Sequence, residues 1–369
     1  MEESWKSVPE FPLFKDLSLE DKSLLDLAFT RFPPSLSEFT FTNLFIWRHA
    51  YKIKISRLKN FLCLLAENRD HPFFFSPIGE GNVVESCRTL LRSMKEKGVS
   101  VKIARVPEEV ASRFDWKSEG FVVEFDRDQS DYVYLSEDLI HLQGRKYHRK
   151  RNHIKQFKEK YVYQYLPLTS ELISDCLRLE SNWCDLRQCE VMPGLRNESI
   201  AIKEAFAYFE ALGVNSVRNS SRSTQRLSTG WALNPAEIIP KYDPVAAAGP
   251  GSAQEGLLPR REGLWPGGSS GDIFSNGVKG GVILINGKVE AFTLGEPLNH
   301  DTVVIHIEKA NPAFEGLYPV INQAFLENHW SEYTYVNREQ DLGEEGLRKA
   351  KESYFPHQMI NKYTIGLND

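Results

Sequence analysis

GGVILINGKVEAFTLGEPL, residues 280–298, is the stretch that decides the fold class. Asn286-Gly287 stands between two apolar runs. Both residues tolerate the positive φ of a type I′ turn, so two antiparallel strands joined by a hairpin are predicted. Working outward, DTVVIHIE (301–308) reads as a strand and GLYPVINQAFLENHW (316–330) as a helix. YTYVNRE (333–339) is a strand, GLRKAKESYF (346–355) a helix and INKYTIGL (360–367) a last strand. Upstream, the strand YVYQYLPL (161–168) precedes the helices SELISDCLRLESNWCDL (170–186) and NESIAIKEAFAYFEALG (197–213). Strands interleaved with helices in this way predict an α/β chain of the mixed-sheet, α+β kind.

The first half repeats the mixture. A helix is expected from Ser18, with Asp21 three residues on as its capping partner. SEFTFTNLFIWRHAY (37–51) reads as buried structure near a domain junction, and its aromatics, like Phe73–Phe75, as core. YKIKIS, FLCLLAE and PFFFSPIG follow as strands, then the helix NVVESCRTLLRSMKEKG, closed by Gly98. SVKIARV, FVVEFDRD and YVYLS complete the strands, with a short helix opened by Pro107. Two domains are expected, 1–160 ending in a basic helix and 161–369. Val214–Gly277 stands apart, crowded with Gly, Pro and Ser and without periodicity, as in AAAGPGSAQEG. It reads as a disordered low-complexity insert between a helix and a strand that would otherwise join by a short loop.

Composition narrows the function classes. The chain is 41% hydrophobic and 26% charged with a net charge of −5, so nucleic-acid contact would need a local patch. No window approaches a membrane span, and the start MEESWKSVPEF lacks the apolar core of a signal peptide, so cytoplasm is the expectation. The five cysteines, Cys63, Cys87, Cys176, Cys184 and Cys189, are odd in number and scattered. They imply neither a disulfide framework nor a metal site.

Two segments carry candidate chemistry. HLQGRKYHRKRNHIKQFKEK (141–160) holds eight Lys and Arg against Glu159 alone. On a helical wheel Tyr147, Ile154, Phe157 and Tyr161 share one side, and Arg145, Arg149, Asn152 and Lys160 fall opposite. Such a helix docks by one face and offers cations by the other. Arg145, Lys146, Arg149, Arg151 and Asn152 are its candidate phosphate ligands. The bland alternative is a solvated helix whose charges pair with nearby acids. In YTYVNREQDLGEEGLRKAKESY (333–354) a strand ends at Asn337-Arg338-Glu339 and a turn follows at Asp341–Gly343. Leu347, Ala350 and Tyr354 are spaced to be the buried face of a helix, from which Arg348 and Lys351 would reach a substrate. Glu308 ends its own strand; if the two strands are neighbours, it converges with Asn337–Glu339. A carboxylate there would orient or deprotonate a nucleophile, and Arg338 would steady an oxyanion. The plain alternative is that these residues only cap the helix and pair with one another.

NREQDLGEEGLRKAKESYFPHQMINKY, together with GRKYHRKRNHIKQFKEKY and SEFTFTNLFIWR, resembles a bacterial family similar to the C-terminal domain of phosphatidylglycerol lysyltransferases. The resemblance spans nearly the whole chain outside Val214–Gly277. It implies a tandem acyl-CoA N-acyltransferase (GNAT-like) fold, the architecture of Fem-type aminoacyltransferases, and transfer of an aminoacyl group from charged tRNA. It would put the basic helix near tRNA phosphates, and Lys351 with Asn337–Glu339 near the transfer site. The lysyltransferases carry a multi-span membrane domain ahead of this module and none is read here, which turns the expected acceptor from a lipid toward another amine or hydroxyl. After VVIHIE, KANPAFEGLYPV holds Gly316 alone in place of the Gly-rich pyrophosphate loop of CoA enzymes. An aminoacyl-tRNA-dependent transferase with no cofactor or metal is therefore the leading expectation. A CoA-dependent N-acyltransferase and a non-enzymatic RNA- or anion-binding protein of the same fold are the alternatives.

Overall fold

The computed structural model describes residues 5, 7–67, 71–213 and 277–368. In chain order the strands are β1 (Lys15–Asp16), β2 (Ile53–Leu58), β3 (Phe61–Ala66), β4 (Phe73–Phe75), β5 (Ile78–Gly79), β6 (Lys102–Pro107), β7 (Phe121–Phe125) and β8 (Asp131–Leu135). Then come β9 (Tyr163–Pro167), β10 (Lys279–Ile285), β11 (Lys288–Pro297), β12 (Thr302–Ala310), β13 (Tyr335–Asn337), β14 (Gln358–Ile360) and β15 (Lys362–Leu367). The predicted hairpin is β10–β11. Ile285 faces Lys288 across Asn286 (φ 52°) and Gly287 (φ 73°), as a type I′ turn requires.

The strands form two mixed sheets. One runs β1-β2-β3-β4-β6-β15-β7, with β5 beside β3, and the other β14-β8-β13-β12-β11-β10-β9. The sheets do not divide at residue 160. The last strand, β15, inserts between β6 and β7 of the first sheet, and β8 inserts between β13 and β14 of the second. Strand signals show that a segment pairs, not with what, so this exchange is invisible in the sequence pattern. The core ignores residue 160 too: one apolar cluster joins Leu25, Phe45 and Ile55 to Ile202, Val282 and Phe292.

Helix Phe41–Ile46 occupies the junction, all six of its residues buried. Ahead of it, Asp131 at the start of β8 collects four donors. They are Ser37 N (2.9 Å), Ser37 Oγ (3.0 Å), Asn337 Nδ2 (3.0 Å) and Lys362 Nζ (2.6 Å). Lys362 also holds both oxygens of Glu38 at 2.7 Å. A fully buried ammonium between two carboxylates thus ties β15, β8 and the N-terminal segment together.

Two expectations are corrected. Cys184 and Cys189 form a disulfide, because helix Ile173–Arg187 ends in left-handed Gln188 and the chain doubles back to a Cα separation of 5.0 Å. Leu347 and Ala350 are exposed; helix Glu345–Glu352 buries Lys351 instead, with Tyr354 just beyond it. The charge wins the inward position because backbone carbonyls wait beneath it, as described below. The expected insert lies outside the described residues, apart from Gly277. A Cβ on Gly277 would stand 2.6 Å from the Leu212 carbonyl oxygen, so the two ends of that segment meet.

Candidate active site

The site begins with a fault in a ladder. Leu294 faces Ile307 while Gly295 faces Ile305, so β12 carries His306 as an extra residue, a β-bulge that re-aims its side chain. Gly295 allows it: a Cβ there would lie 2.7 Å from the Val304 carbonyl oxygen. On its other edge β12 pairs with β13 in parallel only as far as Val304 and Asn337, and then runs on to Ala310. The strands part at that point. His306 and Glu308 stand on one side of this opening and Glu339 and Arg338 on the other, and the two sides bridge it directly. The sequence expectation that Glu308 meets Asn337–Glu339 is met by this parallel pairing.

His306 stands between two carboxylates, with Nε2 2.9 Å from Glu296 Oε1 and Nδ1 2.9 Å from Glu339 Oε1. Helix Phe41–Ile46 backs both: Thr42 Oγ1 donates to Glu296 (3.0 Å) and Asn43 Nδ2 to Glu339 (3.0 Å). Thr40 caps that helix by accepting from Asn43 N at 3.0 Å, which sets the two side chains. The His306 side chain is only 2% exposed. Burial disfavours its charged form, but the hydrogen bonds and charges of Glu296 and Glu339 outweigh burial and raise its pKa to about 9. The two carboxylates are pushed apart. Burial opposes the Glu296 charge, yet His306 holds its pKa below the ordinary value, whereas at Glu339 burial prevails and raises it. Glu339 also takes a left-handed backbone (φ 59°), a costly conformation for a non-glycine residue.

Behind this line, Arg338 Nη2 donates to Glu308 (3.0 Å), whose other oxygen accepts from Asn322 (3.0 Å). The Arg338 guanidinium stands 4.9 Å from the Tyr354 ring, and its Nη1 is buried with no hydrogen-bond partner. Asn337 donates to Asp131 and accepts the Glu339 amide (2.8 Å). Lys351 donates to the carbonyls of Arg338, Glu339 (3.0 Å) and Gln340 (2.7 Å). Burial lowers its pKa to about 8, against the pull of Glu339. Lys351 therefore locks the turn that carries Glu339 and does not reach outward. Arg348 is likewise engaged, by Asp341 (2.9 Å) and Asp128 (2.7 Å). Asp341, fully buried, also accepts from Tyr132, Arg127 and Gly343 N, and these donors hold its carboxyl far below the usual range despite burial.

The basic segment is a 3-10 turn, Arg145–Tyr147, followed by helix His148–Lys160. Tyr147, Ile154 and Phe157 face inward, and Arg145, Arg149, Asn152 and Lys160 face solvent, as the wheel predicts, with Lys146 exposed beside them. Asn152 lies 3.4 Å from His148 Nδ1, and Lys146 pairs with Asp138 at 3.2 Å. Arg151 turns back onto the carbonyls of Leu142 and Gly144 (2.7 Å). Lys150 links this helix to the opening. Its Nζ lies 3.8 Å from the centre of the Tyr354 ring, and burial, then Arg338, lowers its pKa to about 8. Gly316 packs on the same helix: a Cβ there would sit 2.6 Å from the His153 carbonyl oxygen.

Of the sequence candidates, Glu308, Asn337, Arg338, Glu339 and Lys351 are brought together; Arg145, Lys146, Arg149 and Asn152 form a separate solvent face. Sequence reasoning missed His306, Glu296, Thr42, Asn43 and Lys150. One signal was available for His306, an imidazole in the middle of the apolar run VVIHI.

The sequence profile of the family "Phosphatidylglycerol lysyltransferase, C-terminal" matches residues 29–218 and 269–366. The chain belongs to this family. The break in the match falls within the low-complexity segment. Among solved structures, a conserved protein of unknown function from Bacteroides thetaiotaomicron VPI-5482 is 30% identical, covering 96% of this chain and 99% of that one, with a TM-score of 0.73. L-PGS from Bacillus licheniformis is 12% identical over 96% of this chain and 93% of that chain (TM-score 0.54). FemX is 8% identical over 96% and 98% (TM-score 0.50). The last two likenesses are of fold alone. A comparison with curated proteins finds no match. The two mixed sheets with their helices are the fold this family member shares with those solved structures. Among the described residues no helix is long and apolar enough to cross a membrane, and no group of three or more His, Cys, Asp or Glu is placed to hold a metal ion.

Proposed function

We propose that this chain transfers an aminoacyl group from a charged tRNA to an amine or hydroxyl acceptor at the opening between β12 and β13. The observation that carries the reading is Glu339, a carboxylate with a raised pKa held against His306 where the two strands part. Glu339 takes the acceptor's proton as the nucleophile attacks the ester carbonyl. The bond to the ribose oxygen breaks, and the proton passes to that leaving oxygen. Arg338 stands beside this centre, where negative charge develops. The ester is already activated, so positioning supplies much of the rest.

Two facts favour a tRNA donor over acyl-CoA. The start of helix Leu317–His329, where a Gly-rich loop would cradle pyrophosphate, is packed by the basic helix through Gly316. The exposed side of the basic helix and of the turn before it carries Arg145, Lys146 and Arg149, suited to RNA phosphates. The test is binding and transfer with charged tRNA and with acetyl-CoA across a salt series. Charged-tRNA binding and label transfer, both absent with CoA, are expected. Tight acetyl-CoA binding without tRNA binding would overturn the reading, and steep salt-dependent tRNA binding with no transfer to any acceptor would leave an RNA-binding protein of the same fold.

A further inference from the structure

Phe355 packs on a single ring and otherwise stays open to solvent. It is 44% exposed at the end of helix Glu345–Glu352, just before Pro356. Its backbone is left-handed (φ 53°), a conformation that a bulky residue adopts only when its surroundings impose it. The ring is fixed edge-to-face on Tyr147 (5.5 Å, 84°), and Lys146 Nζ lies 5.8 Å from its centre. Arg145, Lys146 and Arg149 are exposed on the adjoining turn and helix. One residue back, Tyr354 lies against Arg338 at the opening and beneath Lys150. A rigid exposed ring among unburied cations, at the lip of a transfer site, has the chemistry of a base-stacking platform in a phosphate-binding groove.

We propose that Phe355 stacks the terminal nucleobase of a single-stranded RNA 3′ end, with Arg145, Lys146 and Arg149 holding the phosphates behind it. The inference rests on the charged-tRNA reading above and adds where the acceptor end lies. A nucleoside on Phe355 leaves its ribose facing Tyr354 and Arg338, beside the opening.

The probe is a 5′-labelled RNA hairpin ending in single-stranded CCA, titrated by fluorescence anisotropy, with the same hairpin lacking its last adenosine as control. Phe355→Ala is expected to weaken binding of the intact hairpin on the order of tenfold. Phe355→Trp should retain it. Phe355→Asn, which tolerates the left-handed backbone, should behave as Ala, showing that the ring and not the backbone matters. The salt dependence should be unchanged, since no charge is removed. Without the last adenosine, parent and Phe355→Ala should bind equally. Equal binding of parent and Phe355→Ala to the intact hairpin, or a difference that survives loss of the adenosine, overturns the stacking assignment alone. Absence of RNA binding by the parent overturns the donor reading as well.

Discussion

His306 enters the opening because β12 carries one residue more than β11 can pair. Its charge depends on the two carboxylates that face it, and this makes the site sensitive to pH. The folded pKa is raised from 6.5 to about 9, so the stabilisation is complete below the unfolded value and is lost as pH rises through the folded one. The thermal midpoint of the parent should therefore fall between these two values, and His306→Gln should lack that component. Parallel pH profiles for the two proteins would refute the assignment. Glu339→Gln should cut transfer roughly a hundredfold while leaving tRNA affinity within about twofold, because the carboxylate acts on the acceptor's proton and not on the RNA. Loss of binding to the same degree as transfer would argue against a proton-accepting role. Lys351 is different in kind. Lys351→Met would take the ammonium from the Arg338 and Gln340 carbonyls, leaving that of Glu339 to the Tyr132 amide, and should cost about 1–3 kcal/mol of stability, read by denaturant titration.

The basic helix and the bulge are elements whose residues divide by what they touch. Arg149 is exposed and should contribute counterion release alone: Arg149→Ala should lower the slope of log affinity against log salt by about one. Arg151 points back at Leu142 and Gly144, so Arg151→Ala should loosen the helix entry and leave that slope unchanged. Equal effects of the two substitutions on the slope would erase the distinction. At the bulge, Gly295→Ala drives a Cβ to 2.7 Å from a backbone oxygen. It should destabilise the chain by about 1–3 kcal/mol and disturb the pH profile assigned to His306. Both helix faces were legible because 3.6-residue periodicity is local, whereas Arg151 sits on the polar side and its partners could not be read from the pattern. Leu347 and Ala350 misled for the complementary reason. A short helix at a strand end buries whatever the backbone beneath it needs, and here that was an ammonium.

The whole molecule is interlocked: β15 completes the first sheet and β8 sits inside the second. Unfolding should be a single cooperative calorimetric transition, and two separable transitions would contradict the shared core. Lys362→Met would leave Asp131 buried without its cation, while Glu38 keeps Arg105 at 2.9 Å, and should cost about 3–5 kcal/mol. Deleting 214–276 should leave the thermal midpoint within a few degrees of the parent, since the flanking Gly213 and Gly277 already meet and loop length enters closure only logarithmically. By itself the sequence determined which segments are strands and helices, the type I′ hairpin, the inward face of the basic helix and the family, because those follow from periodicity, turn chemistry and motif. Only the tertiary structure decided that His306 is bulged between Glu296 and Glu339, that Thr42 and Asn43 cross from the first half to hold them, that β12 and β13 are neighbours and so bring Glu308 to Arg338, that Lys351 turns inward while Arg348 is taken up by Asp341 and Asp128, and that each sheet borrows a strand from the other half. Those arrangements depend on contacts between residues far apart in the chain, to which local pattern is blind.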